Sequence, residues 1–126
     1  MSTQDPIVIV AAKRTPMGGF MGGLSAVSAT TLGATAIRGA MQAANLSNDQ
    51  VDEVIMGCVL PAGLKQAPAR QAALEAELAL STACTTINKV CGSGMKAAMQ
   101  APDALLAGSI DVAIAGGMES MTNAPH

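Results

Sequence analysis

Along the chain, short runs of branched aliphatic residues alternate with longer stretches in which apolar residues return every three or four positions. The first run, "IVIVAA" at 7–12, is continuous and apolar, as strands buried on both faces of a parallel sheet are. "KRTPMGGFMGGL" follows, where Pro16 and two glycine pairs suppress both helix and ladder and predict a flexible loop. From Ser28, an N-cap candidate, Ala29, Leu32, Ala36, Ala40 and Ala43 recur at helical spacing. "SNDQ" at 47–50 has the spacing of a capping box and predicts one helical turn before a strand in "EVIMGCVL". "PARQAALEAEL" at 68–78 places Pro68 at the first position of a second helix. "TTINKV" at 85–90 predicts a β-branched strand. "GMKAAMQAPDALLAG" predicts a helix kinked near Ala98 by Pro102 and stopped at Gly108, and "DVAIAGG" a last strand. The order is βαβαβαβ. Helix-length crossovers between short apolar strands predict an α/β fold: a mainly parallel sheet with helices on both faces.

Composition narrows this picture. Half of the 126 residues are apolar, yet Phe20 is the single aromatic, and 9 Met and 13 Gly leave small side chains to build the core. Such a core lets helices and strands approach closely. Net charge is −2 with 7 scattered Lys and Arg, which excludes a basic face for nucleic acid. Glycine or charge interrupts every apolar segment well short of the ~20 residues a bilayer crossing needs, so no membrane partner is expected. Cys58, Cys84 and Cys91 are an odd set, and "MSTQDP" lacks the regions of a signal peptide. Together they predict a soluble protein of the reducing cytoplasm.

Candidate chemistry concentrates in "NKVCGSGMKAA" at 88–98, where a strand ends, Cys91 follows and a helix begins. A thiol there faces unpaired helix N–H groups that favour its thiolate, and its own N–H is placed to donate to an oxyanion. Gly92 and Gly94 leave room for a substrate against the backbone. Placement alone leaves two readings of Cys91 open, a nucleophile attacking a carbonyl or a small buried residue at a strand end. Cys58 and Cys84 open no helix and read as core. No metal spacing links the three cysteines, and the one histidine, His126, is terminal. Glu119, in "AGGMESM", reads as a structural acceptor of hydrogen bonds. "GGFMGG" lacks the context of a phosphate-binding loop.

Taken together, "IVIVAAKRTP", "PARQAAL", "TTINKVCGSGMKA" and "AGGMESMTNAP" resemble the N-terminal part of the thiolase family, most closely its acetyl-CoA acetyltransferase branch, from about Ile7 to the last residue. The resemblance implies a three-layer α/β/α N-terminal domain over 1–117, lacking its final strand and helix, and the start of a loop domain over 118–126. It implies that Cys91 is the nucleophile that becomes an acyl-thioester. The reaction implied is condensation of two acetyl-CoA to acetoacetyl-CoA and CoA, or the reverse, with coenzyme A thioesters as substrates and no permanently bound cofactor. A degradative 3-ketoacyl-CoA thiolase and a non-catalytic fragment are the alternatives. The histidine of a GHP segment and the second cysteine of a CxGxG segment, which the family uses beside its nucleophile, are not found here, so the chain alone is expected to be inactive. A homodimer or homotetramer is expected of a complete enzyme, through antiparallel pairing of "TTINKV" with its copy. The family's fifth strand would lie beside "IVIVAA". Lys65 stands where the family leads one to expect glycine in a positive-φ turn.

Overall fold

The computed structural model describes residues 7–126. Its elements are α1 (Ala29–Ala44), β1 (Glu53–Gly57), α2 (Pro68–Glu75), β2 (Ala83–Ile87), α3 (Ser93–Ala107) and β3 (Ala113–Gly117). The strands form one parallel sheet in the order β2-β1-β3, with Ile55 opposite Thr85 on one side and Ala115 on the other. β1 is therefore central. Its Val54, Met56 and the following Cys58 are the largest fully enclosed side chains, each such apolar group contributing about 1.5–3 kcal/mol of burial.

Two helical layers enclose the sheet. α1 and α2 cover one face, where Ala34, Ile37, Met41, Ala69, Ala72 and Val54 share a core. α3 covers the other through Ala97 and Ala101 against Ile55. The α/β/α layering and parallel pairing expected from the sequence are present.

Local signals account for most boundaries. Ser28 caps α1 by accepting the Thr31 N–H at 3.2 Å, and Asn45 ends the helix in the left-handed region at φ 54°. In the "SNDQ" turn Gln50 Oε1 accepts the Ser47 N–H at 2.7 Å, half of a capping box. Pro68 opens α2, whose cap residue Ala67 has no side chain to offer. Thr86 of β2 substitutes, its hydroxyl accepting the Ala69 N–H at 2.9 Å. Lys65 does sit at positive φ, 67°, a strain of about 1 kcal/mol for a non-glycine residue. Gln71 steadies that turn by donating to the Leu64 and Gln66 carbonyls. Asp52, just before β1, accepts the Asp111 and Val112 N–H groups that lead into β3, and these bonds hold its carboxyl below the usual range.

Several expectations are corrected. The run 7–12 is not a strand of the sheet, so the order βαβαβαβ loses its first member among the described residues. Val8, Ile9 and Val10 are 72%, 89% and 66% exposed. An apolar run forms a ladder only beside another strand edge. Here a trench of about 450 Å³, walled by Ala40 and Met41 of α1 and by Ala101 and Leu105 of α3, separates 7–12 from β3. That is where the resemblance puts a fifth strand. The core face of α1 is also not the expected one. Ala29 is buried as expected, but with Thr30, Gly33, Ala34, Ile37 and Met41, whereas Leu32, Ala36 and Ala40 are only half-buried. The helix carries two adjacent apolar faces, and the second meets the 7–24 arm, with Lys13 packed beside Gly39. α3 carries Pro102 within it, runs from Ser93 to Ala107 and stops at Gly108, φ 79°, as expected.

Candidate active site

In the order β2-β1-β3, β1 gives rise to β2 on one side, and the chain then crosses to β3 on the other. The strand order reverses around β1, and in open parallel sheets ligands bind beyond the carboxyl ends of the strands at such a point. α3 makes this crossing, so its first turn must pass over the end of β1. Gly57 permits the passage. A Cβ there would lie 2.5 Å from the Ser93 carbonyl carbon and 2.7 Å from the Gly94 nitrogen. A Cβ on Gly117, at the end of β3, would lie 3.1 Å from Gly94 Cα. Gly94 thus faces the strand ends, and its expected role of leaving room for a substrate is corrected. A Cβ on Gly92 would lie 3.5 Å from the Lys89 carbonyl oxygen, an ordinary contact.

The segment between β2 and α3 is a tight elbow. Val90 adopts φ 49°, a conformation rare for a β-branched residue, with a strain of order 1–3 kcal/mol. Asn88 Oδ1 accepts the Val90 N–H at 2.9 Å, an Asx turn, while its amide donates to the Val59 carbonyl at 3.2 Å. Ser93, almost fully buried, accepts the Lys89 N–H at 2.7 Å and donates to the Val90 carbonyl at 2.6 Å. Cys91 comes immediately after Val90 and is exposed. Among the described residues its backbone N–H has no hydrogen-bond partner. The next two N–H groups are taken, Gly92 by the Lys89 carbonyl and Ser93 by the Val90 carbonyl, so an incoming carbonyl meets an accessible sulfur beside the one N–H of Cys91 itself.

The other cysteines stand differently. Cys58 is 1% exposed, its sulfur 3.9 Å from Glu119 Oε1. Loss of solvent, with the neighbouring carboxylate, pushes its thiol from 9.0 up to about 11. Cys84 is half-buried and donates to the Thr82 carbonyl at 3.5 Å. Both are core, as expected from their sequence positions. Glu119 accepts the Val59 and Leu60 N–H groups at 2.7 and 3.1 Å, the structural role expected of it. It thereby ties the end of β3 to the loop after β1. His126 packs edge-on against Phe20 with ring centres 6.0 Å apart. No group of three or more potential metal ligands occurs among the described residues.

"GGFMGG" lies outside helix and strand, as expected. It is folded into turns, and the Met21 N–H donates to Thr122 Oγ1 at 2.8 Å. Together with Leu32 and Met118 it lines a cavity of about 410 Å³ that reaches Glu119 but not Cys91. The roles of Asn88 and Ser93 were not foreseen from the sequence. The signal that marks them is an Asn and a Ser bracketing the cysteine at −3 and +2, both spacings that reach neighbouring backbone.

Residues 7–126 match the profile described as thiolase, N-terminal domain. The chain belongs to the thiolase family. It is 55% identical over 124 residues to the mitochondrial acetyl-CoA acetyltransferase of Homo sapiens and 53% identical to that of Mus musculus, in each case over 98% of this chain and 29% of the relative. A thiolase of Ascaris suum, Acat5, solved in complex with coenzyme A, superposes with a TM-score of 0.91 at 41% identity. That match covers 93% of this chain and 31% of the other. The chain thus spans about three-tenths of the length of these thiolases. The expected cytoplasmic location is overturned, because the similar acetyltransferases are mitochondrial. Free cysteines speak to redox state and carry no address within the cell.

Proposed function

We propose that these residues form the N-terminal part of an acetyl-CoA acetyltransferase, with Cys91 as its acylated nucleophile. The observation that carries this reading is the exposed Cys91 at the strand-to-helix elbow, at the carboxyl rim of a parallel sheet, within a chain of this family. The Cys91 thiolate adds to the acetyl carbonyl of acetyl-CoA, the oxygen taking charge beside the Cys91 N–H. The coenzyme A thiolate then leaves, and an acetyl-thioester remains on Cys91. A carbanion generated on a second acetyl-CoA attacks that thioester, expelling Cys91 and yielding acetoacetyl-CoA. Thiolysis is the reverse. The coenzyme A bound to the Ascaris thiolase supports this substrate class.

The proton transfers need a base and an acid, which the family draws from its GHP and CxGxG segments. We read 118–126 as the start of the loop domain that holds coenzyme A. β2 occupies a sheet edge, and its alternately exposed residues suit antiparallel pairing with a second copy in a homodimer or homotetramer. The test is cleavage of acetoacetyl-CoA in the presence of CoA. A full-length enzyme carrying these residues should turn over and its Cys91→Ser variant should not, while residues 1–126 alone should show no turnover. Activity of the Cys91→Ser variant would overturn the reading.

A further inference from the structure

From the elbow's geometry we infer that Asn88 and Ser93 are positioning residues that lock Val90 in its left-handed conformation and thereby aim Cys91; the inference rests on the reading of Cys91 as nucleophile. A valine at φ 49° reverts to a more favourable backbone unless its neighbours forbid it. At this turn both polar groups of Val90 are captured by side chains. Its N–H goes to Asn88 Oδ1 at 2.9 Å, and its carbonyl accepts from Ser93 Oγ at 2.6 Å as well as from the Ser93 N–H at 3.1 Å. Relaxing φ at Val90 swings the peptide on either side, so neither bond survives the relaxation.

Each clamp is anchored outside the turn. The Asn88 amide donates to the Val59 carbonyl, and the N–H of that same Val59 goes to Glu119 Oε2 at 2.7 Å. The path Glu119, Val59, Asn88, Val90 thus joins the ends of β3, β1 and β2 to the residue before Cys91. Ser93 is buried beneath Gly57 and also accepts the Lys89 N–H. None of these groups touches the sulfur. They act on where it sits, and a glycine at 90, which takes positive φ freely, would make the clamp dispensable.

The experiment is a set of substitutions in the full-length enzyme: Asn88→Ala, Ser93→Ala, Val90→Gly, and each alanine variant combined with Val90→Gly. Single-turnover acetylation of Cys91 by acetyl-CoA is followed by mass spectrometry, with steady-state kcat and KM beside it. Asn88→Ala should slow acetylation about 10- to 100-fold with KM changed less than about threefold, as a misplaced reacting group does. Ser93→Ala should do the same. Adding Val90→Gly should bring each back to within about threefold of Val90→Gly alone, a rescue that a general loss of stability does not show. Wild-type acetylation rates in both alanine variants, or slow acetylation that Val90→Gly leaves unrepaired, would overturn the positioning role while leaving Cys91 as nucleophile. Absence of acetyl on Cys91 in the unsubstituted enzyme would overturn both.

Discussion

Cys58 and Cys91 lie just beyond the ends of neighbouring parallel strands, β1 and β2, yet one is enclosed and the other open. The difference lies in the turn that leaves each strand. After β1 the chain is held down by Glu119, which takes two backbone N–H groups and leaves the Cys58 sulfur sealed beside a carboxylate. After β2 the chain turns through a strained valine and enters a helix at once, which lifts Cys91 clear of the sheet. A cysteine's chemistry in this fold is set by the turn that carries it, and strand-end position alone does not decide it.

The largest expected effect is replacement of the two sulfurs in turn. In the full-length enzyme, Cys91→Ala should lower acetyl transfer by about 10⁴-fold or more. Cys58→Ala should leave the rate within about twofold and cost about 1 kcal/mol of stability in urea unfolding. Equal losses of activity at both positions would break the comparison.

Next comes the support beneath the elbow. Gly57→Ala puts a Cβ 2.5 Å from the Ser93 backbone, which must move. The expected cost is about 1–3 kcal/mol of stability, with acetylation slowed on the order of 10²-fold by the displaced sulfur. Gly94→Ala places its Cβ 3.5 Å from Gly117 Cα, an ordinary contact, and should be far milder in the same two assays. If the two variants behaved alike, the close approach at Gly57 would not govern Cys91.

The smallest effect separates the thiols by pH. Because folding raises the Cys58 thiol from 9.0 to about 11, the folded state keeps a proton there that the unfolded state loses. Its contribution to stability is complete below pH 9 and fades as pH rises towards 11. Urea unfolding at stepped alkaline pH should show this fall in the parent protein and a shallower one in Cys58→Ala. Parallel curves would mean that Cys58 is not sealed.

Much of the fold was legible from pattern. Ser28, Pro68 and Gly108 mark helix ends by capping and backbone chemistry that acts within a few residues, and β1 to β3 are apolar runs with partners nearby in the chain. "IVIVAA" carries the same apolar signal as β1 but forms no ladder, because strand pairing depends on a neighbour that no local pattern encodes. The second apolar face of α1 was invisible for the same reason, as it answers to the 7–24 arm. At the site, the position of Cys91 between a strand and a helix was legible from pattern. The elbow was not, since the positive φ of Val90 contradicts valine's own preference and is imposed by Asn88 and Ser93 from either side.

The most direct test of Cys91 as the acylated residue is to incubate the full-length enzyme briefly with labelled acetyl-CoA, quench in acid and map the label by peptide. The expected result is one acetyl group, carried on the peptide that contains Cys91, with Cys58 and Cys84 recovered as free thiols. Label on either of those two, with Cys91 unmodified, would contradict it.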